Sequence, residues 1–427
     1  MSIPRSVTLI DPFDSGHHVP YARELARGLS AQGVAVFLVG GAGMVAAVGN
    51  AAPLAGSRVL SIYDGEIADY HLLPAARKEP LNLRFLRRAF GFAQEAGSEA
   101  AHLLYLDRFI LPLWAGFGAA RGLNVQATLH WASFLPRFGG GTGRLGRSGA
   151  ERWALAGLLR RGLTLQLHSP EVAALMPPGR VGFVPYPSPL PPADPAQGQL
   201  LRLELGLGRE DRLLLAFGGT RHDKGADLAV QLLARLPQHV HLLVIGRAEH
   251  FSAGELSRLA AADGTSSRLH LRLEGFIPEE RAGTLFLACD AALLPYRRNF
   301  AGQSGPLTIA AALGVPVAAA DAGSMREMVQ EYSLGEVFPS EDLTHMARAA
   351  EVAVALPHRP PHHPEVRRFI QDHSPGSFVR AVLRSYDLSR PPPASLPPSV
   401  PQEPRPMPDH PDLPTPADRL HPEGGSR

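Results

Sequence analysis

Short apolar runs alternate with helix-like stretches along most of the chain. The first run follows Ser6 and reads VTLI, and a polar glycine turn, DPFDSGHH, leads from it into a stretch whose apolar residues have helical spacing. A second run, VAVFLVG, comes next. Strands that are joined through helices run parallel, because the helix returns the chain to the same edge of the sheet. The pattern therefore predicts a parallel, doubly wound α/β sheet.

The same alternation continues through the first half of the chain. Further strands are predicted at residues 58–62, 103–106, 125–129, 163–167 and 181–184, and helices at residues 83–96 and 151–161. Each strand ends at a loop rich in His, Asp, Gly or Ser. Open α/β sheets bind ligands at such carboxyl-end loops, so candidate site residues are sought there.

A proline-rich segment at residues 185–199 interrupts the alternation and predicts an extended linker. A second series then begins, with strands LLLAFGG, HLLVIG, LHLRLEG, AALLPY and VPVAAAD and with helices near residues 227–236, 252–262, 279–288 and 306–313. We therefore expect an N-terminal domain at residues 1–187, a linker at 188–200 and a C-terminal domain at 201–357. The predicted fold class is α/β, with two Rossmann-like domains that face each other across a cleft.

The pattern changes after residue 357. A helix-like stretch at residues 366–386 predicts a C-terminal helical segment at 358–387. Residues 388–427 contain 13 prolines and almost no large apolar side chains, which predicts a disordered, Pro-rich tail. Such a tail is either inert or recognised by a proline-binding partner.

A glycine- and arginine-rich stretch, RFGGGTGRLGRSG, occupies residues 137–149. Its composition predicts a solvated loop. The alternative is a mobile basic lid that faces an anionic substrate or a membrane.

Composition and charge argue against some classes of function. Of the 427 residues, 45% are apolar, and 42 basic against 40 acidic side chains leave a formal charge of +2. This balance is typical of a globular protein and argues against nucleic-acid binding. The single cysteine, Cys289, fits a reducing compartment. Because no apolar run fits a signal peptide or a membrane span, we expect a cytoplasmic protein, with peripheral membrane contact left open.

Lysine is rare in this chain. Of the 42 basic residues 40 are arginine, and the two lysines are Lys78 and Lys224. A lysine that persists against this bias marks a position where a compact ammonium differs from a planar guanidinium. The residues around Lys224 are therefore the first place where an anion-binding site is expected.

The segment LLLAFGGTRHDKGADLAVQLL, residues 213–233, contains the first candidate anion site. A buried strand leads into Gly218 and Gly219, a polar turn brings Arg221 and Lys224 together, and Gly225 opens an amphipathic helix. Glycine lets the backbone approach a phosphate closely, and helix N–H groups with two cations complete an anion clamp. The alternative is a tight turn with two solvated cations.

A second candidate anion site follows the strand AALLPY. A Gly-Gln-Ser-Gly loop ends at Ser304 and Gly305, and Pro306 follows at a position suited to the first turn of a helix. Backbone amides at such a helix start can hold a phosphate group. Simple N-capping by Ser304 is the alternative.

The second half of the chain resembles the C-terminal domain of family 4 glycosyltransferases, which have the two-domain GT-B fold. The resemblance rests on four blocks in the usual order: FGGTRHDKGADLAV, HLLVIG, LEGFIPEERAGTLFLACDAALLPY, and the stretch with GVPVAAADAGSMREMV. It implies transfer of a sugar from a nucleotide-diphosphate donor to a saccharide or lipid-linked acceptor in polysaccharide or glycolipid synthesis, with retention. It implies neither a metal nor a cofactor.

The resemblance also assigns roles to residues of the second half. Lys224 matches the family lysine that holds the donor diphosphate. Gly219 stands where the family usually has arginine, so Arg221 is expected to substitute. Phe276 lies in the loop that usually contacts the base, and Glu327 matches the glutamate after the final glycine turn.

The first half matches the family less densely. Its DSGHHVP loop, with Gly16 and His17, resembles the glycine-rich loop that faces the donor phosphates and the acceptor. His130 matches the histidine at a strand end near the donor sugar. The expected catalytic set is therefore His130, Lys224 and Arg221, whereas a plain role as loop residues is the alternative for the histidines.

One departure from the family pattern bears on activity. The two glutamates that family members usually carry eight residues apart are replaced here by Ala301 and Ile309. Ser304 and the Gly305 amide could take over phosphate contacts, as a serine-glycine loop does in some members. The departure keeps two alternatives open, a non-catalytic GT-B partner or sugar-binding protein and, less favoured by the order of the blocks, a sugar-nucleotide epimerase.

Overall fold

A computed structural model of the protein describes residues 3–14, 16–65, 67–143, 146–273, 275 and 277–386. The tail predicted at residues 388–427 lies outside these residues, as does Phe276. Within the described ranges, helices fall short of the length and apolar character that a membrane span requires.

The N-terminal half forms one sheet with helices between its strands. Its strands are β1 (Ser6–Asp11), β2 (Ala35–Gly40), β3 (Gly56–Val59), β4 (Ala100–Leu103), β5 (Asn124–Leu129), β6 (Thr164–Leu167) and β7 (Arg180–Phe183). Its helices are α1 (His18–Ala31), α2 (Ala42–Gly49), α3 (Ile67–Leu72), α4 (Ala75–Glu95), α5 (Ile110–Gly116), α6 (Arg147–Arg160) and α7 (Pro170–Ala174). The strands lie in the order β3-β2-β1-β4-β5-β6-β7 and every pair is parallel.

The C-terminal half repeats this plan with six strands. Its strands are β8 (Arg212–Phe217), β9 (Val240–Ile245), β10 (Leu269–Arg272), β11 (Ala291–Leu294), β12 (Val317–Ala320) and β13 (Gly335–Phe338). Its helices are α8 (Pro195–Glu204), α9 (Ala226–Leu232), α10 (Ala253–Ala262), α11 (Glu279–Ala288), α12 (Gly305–Leu313), α13 (Met325–Glu331) and α14 (Leu343–Ala355). The order is β10-β9-β8-β11-β12-β13, again parallel throughout, so the predicted α/β class with two Rossmann-like domains is confirmed.

The predicted linker is partly helical. Pro195 begins α8, and the Asp194 side chain caps the helix by accepting hydrogen bonds from the Ala196 and Gln197 amides at 2.9 and 3.3 Å. Proline at the first helical position loses no hydrogen bond, because that amide would have no partner within the helix. Residues 195–199, predicted as extended, therefore belong to a helix.

The C-terminal helical segment consists of two helices, α15 (Pro364–Asp372) and α16 (Pro375–Tyr386). The predicted single stretch at residues 366–386 is thus interrupted, and Ser374 starts the second helix by accepting the Ser377 amide at 3.1 Å. Helix α16 packs on the N-terminal sheet, where Phe378 is buried in one cluster with residues of α1 and β1. The end of the described chain therefore completes the N-terminal domain.

Candidate functional site

The loop after β8 holds Lys224 close to the backbone. Gly218 has a φ of +114°, and a Cβ atom there would lie 2.9 Å from the Lys224 Nζ. Gly225 has a φ of +66°, and its Cβ would lie 2.1 Å from the Pro295 carbonyl oxygen. Since side chains are disfavoured at positive φ and the second contact is with backbone, glycine is required at Gly225 for this loop to close.

The two cations of this loop differ in their partners. The Arg221 guanidinium donates to both oxygens of Asp223, at 2.9 and 2.6 Å, and lies 5.4 Å from the Trp131 ring centroid of the N-terminal domain. Within the described part of the chain, no carboxylate pairs with the Lys224 ammonium, which lies 5.7 Å from the Tyr296 ring centroid. Lys224 is therefore the cation that remains available to an anionic ligand.

The N-terminus of α12 lies on the other side of Tyr296. The Tyr296 hydroxyl is hydrogen-bonded to the Ser304 Oγ at 3.1 Å, and this oxygen also accepts the Leu307 amide at 3.3 Å. A Cβ atom added to Gly305 would meet open space. Tyr296 thus contacts residues of both predicted anion sites, Lys224 through its ring and Ser304 through its hydroxyl group.

His17 faces these cations from the N-terminal domain. It precedes α1, and its ring lies 5.3 Å from that of His18 and 6.0 Å from that of His130. Its side chain is exposed at the surface of the loop, and the pKa of His17 is lowered by partial loss of hydration among these rings and by the positive charges of Arg221 and Lys224. His17 is consequently a neutral side chain opposite the two cations. Gly16, next to it, has a φ of +61° and open space around its Cα atom.

A row of stacked rings extends from His18 into the cleft. The Tyr105 ring lies 3.8 Å from the ring of His18 and also 3.8 Å from that of His130, nearly parallel to the latter at 12°. The His168 ring follows at 4.7 Å from His130. His18 is anchored at the other end, where its Nδ1 bonds the buried Asp11 carboxylate at 2.8 Å. These rings form a rigid wall at the carboxyl ends of β1, β4, β5 and β6.

His130 is neutral and fixed in orientation. Its Nε2–H donates to the Leu104 carbonyl at 3.0 Å, which leaves Nδ1 as an acceptor. Burial, with His168 and His17 nearby, holds the pKa of His130 well below its ordinary value of 6.5. A neutral imidazole in this place can accept a hydrogen bond from a hydroxyl group but does not carry a proton for transfer at neutral pH.

Asp107 supports the same strand end and was not among the predicted site residues. Its Oδ1 accepts the backbone amides of His130, at 3.1 Å, and of Trp131, whereas its Oδ2 is buried without a hydrogen-bond partner. Burial raises the pKa of Asp107 to about 7. The sequence signal was present, because Asp107 follows the run LLYL at a strand end, but the predicted strand there was placed three residues too late.

Contacts between the domains lie beside this wall. The Gln303 side-chain amide donates to the His168 carbonyl at 3.0 Å, and a Cβ atom at Gly302 would lie 2.4 Å from the Trp131 ring. The Gln303 Oε1 and the His168 Nε2 are both buried without a partner. Both residues line, with His130, a small cavity of about 20 Å³, which is about the space that one water molecule needs.

The remaining predicted residues are not all found at this place. Gly219 lies in the Lys224 loop, where a Cβ atom would come 2.3 Å from the Glu249 Oε1. Glu327 instead accepts a hydrogen bond from the Ser169 hydroxyl at 2.6 Å and lines a neighbouring cavity whose walls do not include Lys224. Burial raises the pKa of Glu327, against the opposing effect of this hydrogen bond. The donor-binding role that the resemblance implies for Glu327 stays a prediction.

Comparison with known proteins agrees with the resemblance. Residues 211–355 match the family described as glycosyl transferases group 1. A D-inositol 3-phosphate glycosyltransferase from Xylanimonas cellulosilytica is 30% identical over 170 residues, which are 39% of this chain and 39% of that protein. The match thus spans about two fifths of the relative's length.

Solved structures match over the whole fold. Sucrose-phosphate synthase from Thermosynechococcus elongatus has a TM-score of 0.69 at 18% identity, with 90% of this chain and 98% of that chain covered. HepE from Anabaena, solved with UDP and glucose, has a TM-score of 0.64 at 16% identity, with 89% and 98% covered. The chain therefore has the GT-B fold.

Proposed function

We propose that the protein transfers a sugar from a nucleotide-diphosphate donor to a hydroxyl group of an acceptor, because residues 211–355 match the group 1 glycosyl transferases and the chain has the GT-B fold. The acceptor is a saccharide or a lipid-linked saccharide in polysaccharide or glycolipid synthesis. The observation that carries the proposal is the Lys224 ammonium, which has no described carboxylate partner and lies near the open N-terminus of α12.

Stabilisation of the leaving diphosphate is the main chemical task in this proposal. When the bond between the sugar C1 and the diphosphate oxygen breaks, negative charge develops on the phosphates. Lys224, Arg221 and the amides at Ser304 and Gly305 supply positive charge and N–H donors there. The acceptor oxygen bonds to C1, and its proton passes to the departing phosphate oxygen. The reaction then proceeds on the face that the leaving group occupied, with retention.

The histidine wall of the N-terminal domain is proposed to hold the sugar. The neutral His130 offers its Nδ1 as an acceptor, and the His17 ring lies 6.0 Å from it, where the charges of Arg221 and Lys224 lower the pKa of His17. Because His130 and His17 are neutral, they can orient a sugar without competing with Lys224 for the diphosphate. His130 therefore contributes to positioning and not to proton transfer.

The uridine nucleotide is the first donor base to test, since HepE was solved with UDP. The experiment is a thermal-unfolding panel of the full chain with UDP, GDP and ADP, followed by the matching nucleotide sugars. A ligand that binds the folded state alone raises the melting temperature in proportion to the logarithm of its concentration. We expect UDP to give the largest increase, and no shift with any nucleotide would contradict the proposed donor class.

Retention is tested on the product. Incubation with the sugar nucleotide that stabilises the protein most, and with a simple alcohol as acceptor, gives a glycoside whose anomeric configuration is read by proton NMR. The configuration is expected to equal that of the donor. An inverted first-formed product would contradict the front-face reaction but leave the donor class intact.

A non-catalytic role is the second candidate. Ala301, at one position of the family's glutamate pair, is 5% exposed, and its carbonyl accepts the Ala132 amide at 3.4 Å in the contact between the domains. A carboxylate that family members use is thus replaced by a structural residue. Nucleotide binding without hydrolysis or transfer in the same assays would favour this candidate.

A further inference from the structure

A second cavity, of about 340 Å³, lies where the chain passes between the two domains. We call it the crossover cavity. Its walls come from the ends of β6 and β7, from α13 and from α16, and they include His168, Glu327, Glu331, Tyr332, Arg380 and Arg384. The volume lies in the range of small-molecule sites. The crossover cavity shares His168 and Ser324 with the small cavity beside His130, but Lys224 and Arg221 do not line it.

Two arginines of α16 form one wall of the crossover cavity. Arg380 and Arg384 are four residues apart and so project from the same side of the helix, with Ser377 one turn earlier. Arg380 donates to the Ser377 hydroxyl at 2.9 Å. Among the residues that the structure describes, neither guanidinium forms a salt bridge with a carboxylate. Two like charges at this spacing repel each other, and an anion between them removes the repulsion.

The opposite wall is rich in hydrogen-bond acceptors. Glu327 and Glu331 are also four residues apart, on α13, and the Tyr332 hydroxyl donates to the Asp372 Oδ2 at 3.0 Å. His168 adds a buried acceptor, because its Nδ1–H donates to the Val184 carbonyl at 2.8 Å while its Nε2 has no partner. Carboxylate oxygens and an unprotonated ring nitrogen accept hydrogen bonds from hydroxyl groups.

We propose that the crossover cavity binds a phosphate ester of a polyol, with the phosphate on Arg380 and Arg384 and the hydroxyl groups on Glu327 and Glu331. The arginines and the glutamates lie on different walls of the crossover cavity, so a ligand that contacts both walls needs an anionic group and hydroxyl groups. A guanidinium pair matches the oxygens of a phosphate, whereas the carboxylates on the other wall would repel a second phosphate and accept hydroxyl donors. The site is distinct from the proposed donor site and does not depend on the proposed function.

The test is calorimetric titration of the full chain with glucose 6-phosphate as the probe, and with glucose and inorganic phosphate for comparison. The variants are the double substitution R380Q/R384Q, the control Arg367→Gln on the exposed surface of α15, and Lys224→Ala in the donor site. Wild type, the control and Lys224→Ala are expected to bind the probe with equal affinity. The double variant is expected to bind at least tenfold more weakly, and each half of the probe more weakly than the whole.

Three results would overturn the proposal. These are the absence of saturable binding to the wild type, unchanged affinity in the double variant, and loss of binding in Lys224→Ala, which would place the probe in the donor site. The thermal melt of the double variant serves as a check on folding, since both arginines are exposed and their replacement leaves the core intact. Failure of UDP binding would contradict the proposed function without affecting this result.

Discussion

Single residues near the strand ends carry most of the chemistry that we propose for the cleft. Lys224 has no described carboxylate partner, whereas nearby Arg221 is held by Asp223. The difference explains why a lysine persists in a chain with 40 arginines, since a compact ammonium fits against Gly218 where a planar guanidinium would need more room. Composition pointed to this residue, but its lack of a partner follows from three-dimensional contacts that no sequence pattern contains.

The carboxyl group of Asp107 makes stability depend on pH. Its pKa rises from 3.8 to about 7 in the folded state, so between these values the folded protein binds more protons than the unfolded chain. The contribution of Asp107 to stability is therefore full below pH 4 and is lost as the pH rises through 7. Asp107→Asn removes the ionisation while its Oδ1 still accepts the amides of His130 and Trp131.

The measurement is the free energy of unfolding in urea at pH 5 and pH 8. The free energy of unfolding of Asp107→Asn minus that of wild type is expected to be larger at pH 8 than at pH 5. Asp64→Asn, at a side chain that is 91% exposed, serves as the control and should show no such difference. If the free energies of unfolding of wild type and Asp107→Asn changed equally with pH, the raised pKa of the buried Asp107 carboxyl group would be contradicted.

At the scale of elements, the alternation of apolar runs with helix-like stretches predicted strands and helices reliably, but it did not predict where each element ends. The predicted helix at residues 279–288 coincides with α11, because its apolar spacing and flanking proline are local features. In contrast, β13 and helices α13 and α14 were not predicted. Strand β13 is four residues long, and its pairing with β12 depends on tertiary contact and not on its own sequence. Of the four edge strands, the patterns predicted β3, β7 and β10 and missed β13.

The turn between β8 and α9 requires glycine at Gly225. In Gly225→Ala the added Cβ would meet the Pro295 carbonyl oxygen at a backbone φ of +66°, so strain and collision act together. We expect a loss of about 1–3 kcal/mol in the free energy of unfolding, together with weaker UDP binding, because Lys224 precedes this glycine. Chemical denaturation and calorimetry measure the two effects.

Gly254→Ala provides the matched control for this substitution. Gly254 lies in α10, and a Cβ atom there meets nothing within 4 Å, so alanine should be neutral or stabilise the helix by up to about 1 kcal/mol. Equal effects of the two substitutions would mean that the Gly225 turn is not under the steric constraint described.

At the scale of the whole molecule, the proposed site needs residues of both domains. The C-terminal domain supplies the cations and the α12 amides, and the N-terminal domain supplies the histidine wall. Helix α16 strengthens the connection, because Tyr386 bonds the buried His102 of β4 at 2.8 Å through its hydroxyl. The sequence predicted a helix here but could not show which sheet it covers, since an amphipathic pattern does not identify its partner.

Lys224 is the residue through which we propose that the cleft holds a nucleoside diphosphate. Calorimetric titration of UDP into wild type, Lys224→Ala and Lys78→Ala tests it most directly, because the two lysines of the chain then control for each other. Loss of one charge-assisted hydrogen bond costs about 1.5–3 kcal/mol, so Lys224→Ala should weaken UDP binding by roughly 10–100-fold with an unchanged melting temperature. Lys78→Ala should bind UDP as wild type does, and unchanged affinity in Lys224→Ala would contradict the account.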